Sequence, residues 1–177
     1  MRVDVHAHYY PADYLDTLQR YGAEATGTAR IRCAGSSGDD IAARLRMMDD
    51  AGVDMQILSA TPQMPFFDDR EHAIGAARMA NDMYAEIVRA HPDRFAALAA
   101  VPLPHGEAAA AEVARAMDEL GFLGAGITTV VLDRTLGDPA FDPFWAELDR
   151  RAAVVFIHAA GTDLDSPLIS EHGLTWI

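Results

Sequence analysis

Two histidines one residue apart close the first apolar run of the chain, Val3-Asp4-Val5-His6-Ala7-His8. Side chains alternate faces along a strand, so His6 and His8 are expected to project to one side, with Cα atoms roughly 6–7 Å apart. At the end of a strand, such a pair can close on one divalent ion with bonds of about 2.0–2.1 Å. The competing reading is a strand end that merely carries two exposed polar residues. A third histidine, His158, ends the apolar run Val154-Val155-Phe156-Ile157 late in the chain. Alone, a histidine in that setting is more often a hydrogen-bonded structural residue; beside the pair, it tips the balance toward metal. Three neutral imidazoles suit Zn2+, the ion expected, and a catalytic zinc site keeps one position for water.

The elements that must carry these residues alternate along the chain. After His8, the stretch 9–38 is irregular, broken by Gly22, Gly27, Gly35 and Gly38, with one short helix over Ala12 to Tyr21 and a hairpin near Thr26 to Cys33. A stretch this long inside a compact domain is functional or an inserted subdomain. Helices are expected from Asp39 to Gly52, Asp69 to Ala90, Gly106 to Leu120 and Asp142 to Arg151. Strands are expected at Val53 to Ala60, Phe95 to Leu103, Gly124 to Val131 and Val154 to His158, and Ser166-Pro167 opens a last short helix. Asp142 before Pro143 reads as a capping carboxylate with proline at the first helical position. Strands apolar on both faces that alternate with helices belong to a parallel sheet covered by helices. No glycine-rich phosphate fingerprint follows the first strand, which argues against a dinucleotide site. In a parallel barrel the C-terminal strand ends form the active face, and His6, His8 and His158 all lie at such ends.

Composition narrows the partners. Among 177 residues, 14 Lys and Arg stand against 27 Asp and Glu, a net charge of −13 that repels nucleic acid and anionic membrane. No window approaches a membrane-spanning run, and the charged first strand does not read as a signal peptide. A single cysteine, Cys33, can form no internal disulfide and is given no catalytic role. A soluble, cytoplasmic chain with a small-molecule substrate is expected.

The stretches Val3 to Pro11 (VDVHAHYYP), Met48 to Pro62 (MDDAGVDMQILSATP), Arg94 to Pro104 and Val154 to Gly161, in this order, resemble the amidohydrolase superfamily. The branch they resemble contains aminocarboxymuconate-semialdehyde decarboxylase. The resemblance implies an α/β fold of the (β/α)8 TIM-barrel type, with His6, His8 and His158 as metal ligands and 9–38 as a lid or inserted subdomain. It implies a metal-dependent decarboxylase acting on a small carboxylated substrate; a metal-dependent hydrolase of an amide, ester or lactone is the alternative. About five of the eight strands are present, and the family's acid/base histidine and metal-binding aspartate have no counterpart before Ile177. Residues 1–177 are therefore expected to form the N-terminal part of one barrel, and the catalytic residue stays unassigned. A reading from another class is an inactive half-barrel or assembly piece. Open strand edges make a homo-oligomer the expected state.

Arg32, with Arg30 as its alternate, is read either as holding a substrate carboxylate through a bidentate pair or as a solvated surface arginine. Tyr9, Thr61 and Met64 follow strand ends and could line the pocket or simply pack. Asp163 and Asp165 are not expected to reach the ion. His105 reads as a cap of the next helix, and His72, His91 and His172 as structural or solvated. Arg44, Arg46, Asp49 and Asp50 read as a solvated helix face.

Overall fold

The structure is a computed structural model, and it describes residues 1–159 apart from 24 and 31–33. Five strands run parallel in chain order: β1 (Val3–His8), β2 (Met55–Ser59), β3 (Phe95–Ala97), β4 (Gly124–Thr128) and, last in the chain, Val154–His158. The first three form one hydrogen-bonded sheet, and β4 pairs with Val154–His158 from Gly124↔Val154 to Thr128↔His158. The two sheets join through a parallel bridge between Ala99 and Ala125, with the Ala99 N–H donating to the Gly124 carbonyl at 2.8 Å. The result is one arc of five parallel strands, the architecture expected of a (β/α) barrel wall. Gly124 takes φ +152°, and a Cβ there would stand 1.9 Å from the Val154 carbonyl oxygen, so only glycine lets the two strands approach.

Helices α1 (Ala12–Arg20), α2 (Gly38–Ala51), α3 (Arg70–Ala90), α4 (Gly106–Asp118) and α5 (Asp142–Arg150) connect the strands. Their ends follow local chemistry. The Ser37 hydroxyl accepts from the Asp40 N–H at the start of α2, and Gly52 closes that helix in the left-handed region. The Asp69 carboxylate accepts from the His72 N–H at the start of α3. Tyr14, Leu58, Tyr84, Phe95, Leu103, Phe141 and Phe144 are buried in one apolar core between helices and strands. No helix among the described residues is long and apolar enough to cross a membrane.

Several local expectations change. The strand expected over Gly124 to Val131 stops at Thr128, and a two-residue antiparallel hairpin follows, β5 (Val130–Val131) with β6 (Arg134–Thr135); the strand Val154–His158 is therefore β7. The hairpin expected near Thr26 is a 3-10 helix over Ala25–Ala29, and residues 31–33 of that expectation lie outside the described residues. Asp142 does not cap α5; the capping carboxylate is Asp138, which accepts from the Ala140 N–H of the preceding 3-10 turn. The helix expected from Ser166 lies outside the described residues.

Candidate metal centre

β1 and β7 are the two ends of the arc, and each ends on its histidines at the same C-terminal rim. Ring centroids stand 4.8 Å apart for His6 and His8, 4.9 Å for His6 and His158, and 5.2 Å for His8 and His158. One nitrogen from each ring lies within 4.8 Å of the others. Ligands bound at about 2.0–2.1 Å around a tetrahedral ion sit about 3.4 Å apart, so small side-chain rotations suffice to close the cluster on a cation. The donor set fits a divalent ion.

Protonation favours binding. Burial, then the neighbouring His158 and His6 imidazoles, push the His8 pKa down to about 4, so this ring is neutral at pH 7 with a lone pair to give. His8 Nδ1 is buried without a hydrogen-bond partner among the described residues. In His158, Nδ1 lies 2.6 Å from the Ala159 carbonyl, which can only accept; Nδ1 carries the proton and Nε2 is left with its lone pair free.

β1 is not a regular strand. It pairs Asp4 with Gln56 but Ala7 with Leu58, so an extra residue is accommodated between them. Such a bulge re-aims the side chains beside it. Simple alternation therefore anticipates the convergence of His6 and His8 without describing how β1 achieves it.

The other expected residues scatter. Thr61 is buried, with its hydroxyl 2.8 Å from that of Ser59 at the end of β2 and its carbonyl accepting from Tyr10 Oη at 2.5 Å. Tyr9 is buried away from the imidazole cluster, its ring against Tyr84 and beneath the Arg44 guanidinium. Arg30 pairs with Asp16, and Arg32 lies outside the described residues, as do Cys33, Asp163, Asp165 and His172. Met64 is in the core. His105 occupies the cap position of α4 without a side-chain cap; its Nε2 reaches the Phe67 carbonyl instead. His72 stacks on Tyr21, and His91 meets Phe95 edge-on, both structural settings.

Two residues near the site escape the sequence reading. Tyr10 stacks on His8 with 5.6 Å between centroids, and it also lines a cleft of about 580 Å³ with Arg30, Ser36, Ser37 and Asp40. The doubled tyrosine after the histidine pair was the available signal. Arg44 overturns the solvated-face reading of α2. It is buried, donates to Gln56 Oε1 at 2.9 Å and holds the backbone carbonyl of His8, whereas Arg46, Asp49 and Asp50 are exposed as expected.

A family profile described as amidohydrolase matches residues 3–173. The gamma-resorcylate decarboxylase of Rhizobium radiobacter is 36% identical over 186 aligned positions, covering 96% of this chain and 51% of its own. The 2-amino-3-carboxymuconate-6-semialdehyde decarboxylase of Dictyostelium discoideum is 27% identical and covers 89% of this chain and 48% of its own. Among solved structures, the 5-carboxyvanillate decarboxylase of Novosphingobium aromaticivorans, with bound manganese and a nitro-substituted hydroxymethoxybenzoic acid, superposes with a TM-score of 0.77 at 26% identity. It matches over 98% of this chain and 55% of that one. The chain thus spans about half the length of the curated relatives it matches.

Proposed function

The chain belongs to the amidohydrolase family, and from that premise we propose that it carries the metal-binding rim of a divalent-metal-dependent decarboxylase for small carboxylated aromatic compounds. The observation that carries this reading is the convergence of His6, His8 and His158, drawn from opposite ends of the parallel arc, with ligand atoms within 4.8 Å. When bound, a divalent ion would supply Lewis-acid polarisation of a substrate carboxylate or neighbouring hydroxyl. His8 presents a neutral imidazole at pH 7, and His158 presents Nε2 because its Nδ1 proton is tied to Ala159. Tyr10 stacks on His8 and borders the adjoining cleft, which ties that cleft to the histidine cluster as the place for an aromatic substrate. Arg32 is retained as the partner for a substrate carboxylate; Thr61 and Tyr9 are buried and serve by packing, Thr61 through the bond its carbonyl accepts from Tyr10 Oη. The relative with bound manganese supports a divalent ion in general, so Mn2+ stands beside the Zn2+ that three imidazoles suit.

The test is carbon dioxide release from a panel of ortho-hydroxybenzoic acids by protein loaded with Mn2+ or Zn2+. Metal-dependent release, lost in His158→Ala, is expected. Metal-dependent cleavage of esters, lactones or amides without carbon dioxide would move the assignment to hydrolysis.

A further inference from the structure

The bulge in β1 and the buried Arg44 are joined by a chain of hydrogen bonds. The Asp4 carboxylate accepts from the His6 N–H through Oδ1 at 3.0 Å and from Gln56 Nε2 through Oδ2 at 2.9 Å. Gln56 Oε1 in turn accepts from Arg44 at 2.9 Å, and the same guanidinium holds the carbonyl of His8. A string of three side chains from β1, β2 and α2 therefore grips the main chain of both histidines, one by its N–H and the other by its C=O. Its first link lies where the β1 register slips, between Asp4 and Ala7. The amide that a bulge displaces from the ladder needs another acceptor, and Asp4 provides it. Gln56 and Arg44 are both buried, so the string is shielded from competing water.

We propose that Asp4, Gln56 and Arg44 are positioning residues that hold the β1 bulge and so set His6 and His8 at metal-binding separation. This rests on the metal reading above, but it concerns the apo chain. The string has a fixed polarity: Gln56 must turn its NH2 toward Asp4 and its oxygen toward Arg44, because a guanidinium cannot accept. Asp4→Asn changes neither shape nor the acceptor for His6, yet it sets an NH2 against the NH2 of Gln56. Flipping Gln56 only moves the clash to Arg44. The double variant Asp4→Asn/Gln56→Glu repairs every link, since the carboxylate introduced on β2 accepts from both the new amide and Arg44.

The experiment is calorimetric titration of Mn2+ and Zn2+ into the full chain and both variants, with nuclear Overhauser contacts between the His6 and His8 rings recorded on the metal-free proteins. Asp4→Asn should bind on the order of tenfold more weakly, the lower end of what outer partners of metal ligands contribute, and the double variant should return to within about threefold of the parent. The ring contact should be lost in the single variant and restored in the double. Unchanged affinity in Asp4→Asn, or a double variant as weak as the single, would overturn the proposal. If Asp4→Asn does not fold, the double variant decides: a folded protein with parental affinity supports the string, and a weak one overturns it. If the parent itself binds neither ion, the metal reading falls. The positioning role is then judged on the ring contact, which supports the string if lost and restored, and overturns it if kept in Asp4→Asn.

Discussion

β2, β3 and β4 are buried along nearly their whole length, whereas β1 and β7 leave Val3, Val5, Val154 and Ile157 exposed by between 37 and 54%. The central strands have neighbours on both edges and helices behind them. Each end strand is paired on one edge only among the described residues. All three candidate ligands nevertheless come from the end strands. Packing and candidate chemistry are thus divided within one arc of strands. The centre fixes the curvature that brings β1 and β7 toward each other, and the ends contribute the imidazole side chains. Stability and metal binding should consequently separate under mutation.

The largest expected effect is on the central strands. Phe95 in β3 is 1% exposed, and Phe95→Ala should cost about 3–5 kcal/mol of unfolding free energy in urea titration. The fraction that remains folded should still bind metal at parental stoichiometry. Loss of metal from folded Phe95→Ala would dissolve the division between centre and ends.

His158→Ala should do the reverse. Losing a direct ligand should weaken metal binding by at least ~100-fold, beyond what loss of an outer partner brings, while unfolding free energy of the metal-free protein changes by less than about 1 kcal/mol. Calorimetry and urea titration on the same sample would show both.

The division is legible in the sequence only in part. Runs that end in histidine, the β/α alternation and the helix limits at Asp69 and Gly52 are local signals, and local physics realises them. The bulge in β1 is a matter of register against β2, which no single segment encodes. Arg44 shares its helix with the exposed Arg46, Asp49 and Asp50; partners brought from other elements, among them the Gln56 side chain, the His8 carbonyl and the Tyr9 ring, distinguish it. The break after Thr128 escapes for a similar reason. No glycine or proline marks it, and the turn that follows relies on Leu132 at φ 54°.

A smaller effect should follow pH. His8 has a folded pKa of about 4 against an ordinary 6.5, so the unfolded chain binds more protons between those values. The metal-free protein should lose stability as pH falls from about 6.5 to about 4 and level off below. Because His8 is only half-buried, solvent screening reduces the effect to on the order of 1–2 kcal/mol. His8→Gln should flatten that part of the profile, as seen in urea midpoints across the range; an unchanged slope would assign it elsewhere.

The smallest effect on stability belongs to the open edges. Val154→Thr and Ile157→Thr keep β-branched side chains and should alter unfolding free energy by no more than about 0.5 kcal/mol. Sedimentation velocity should show less self-association in these variants if exposed β7 drives it. A loss comparable to that of Phe95→Ala would mean that β7 is packed like the centre.

The claim that one divalent ion is held jointly by both ends of the arc is tested most directly by anomalous diffraction from crystals of the full chain loaded with Mn2+ or Zn2+. The account predicts a single strong peak within about 2.0–2.3 Å of one nitrogen each from His6, His8 and His158. A peak bound by the His6 and His8 pair with His158 turned away, or one at a different set of side chains, would contradict it.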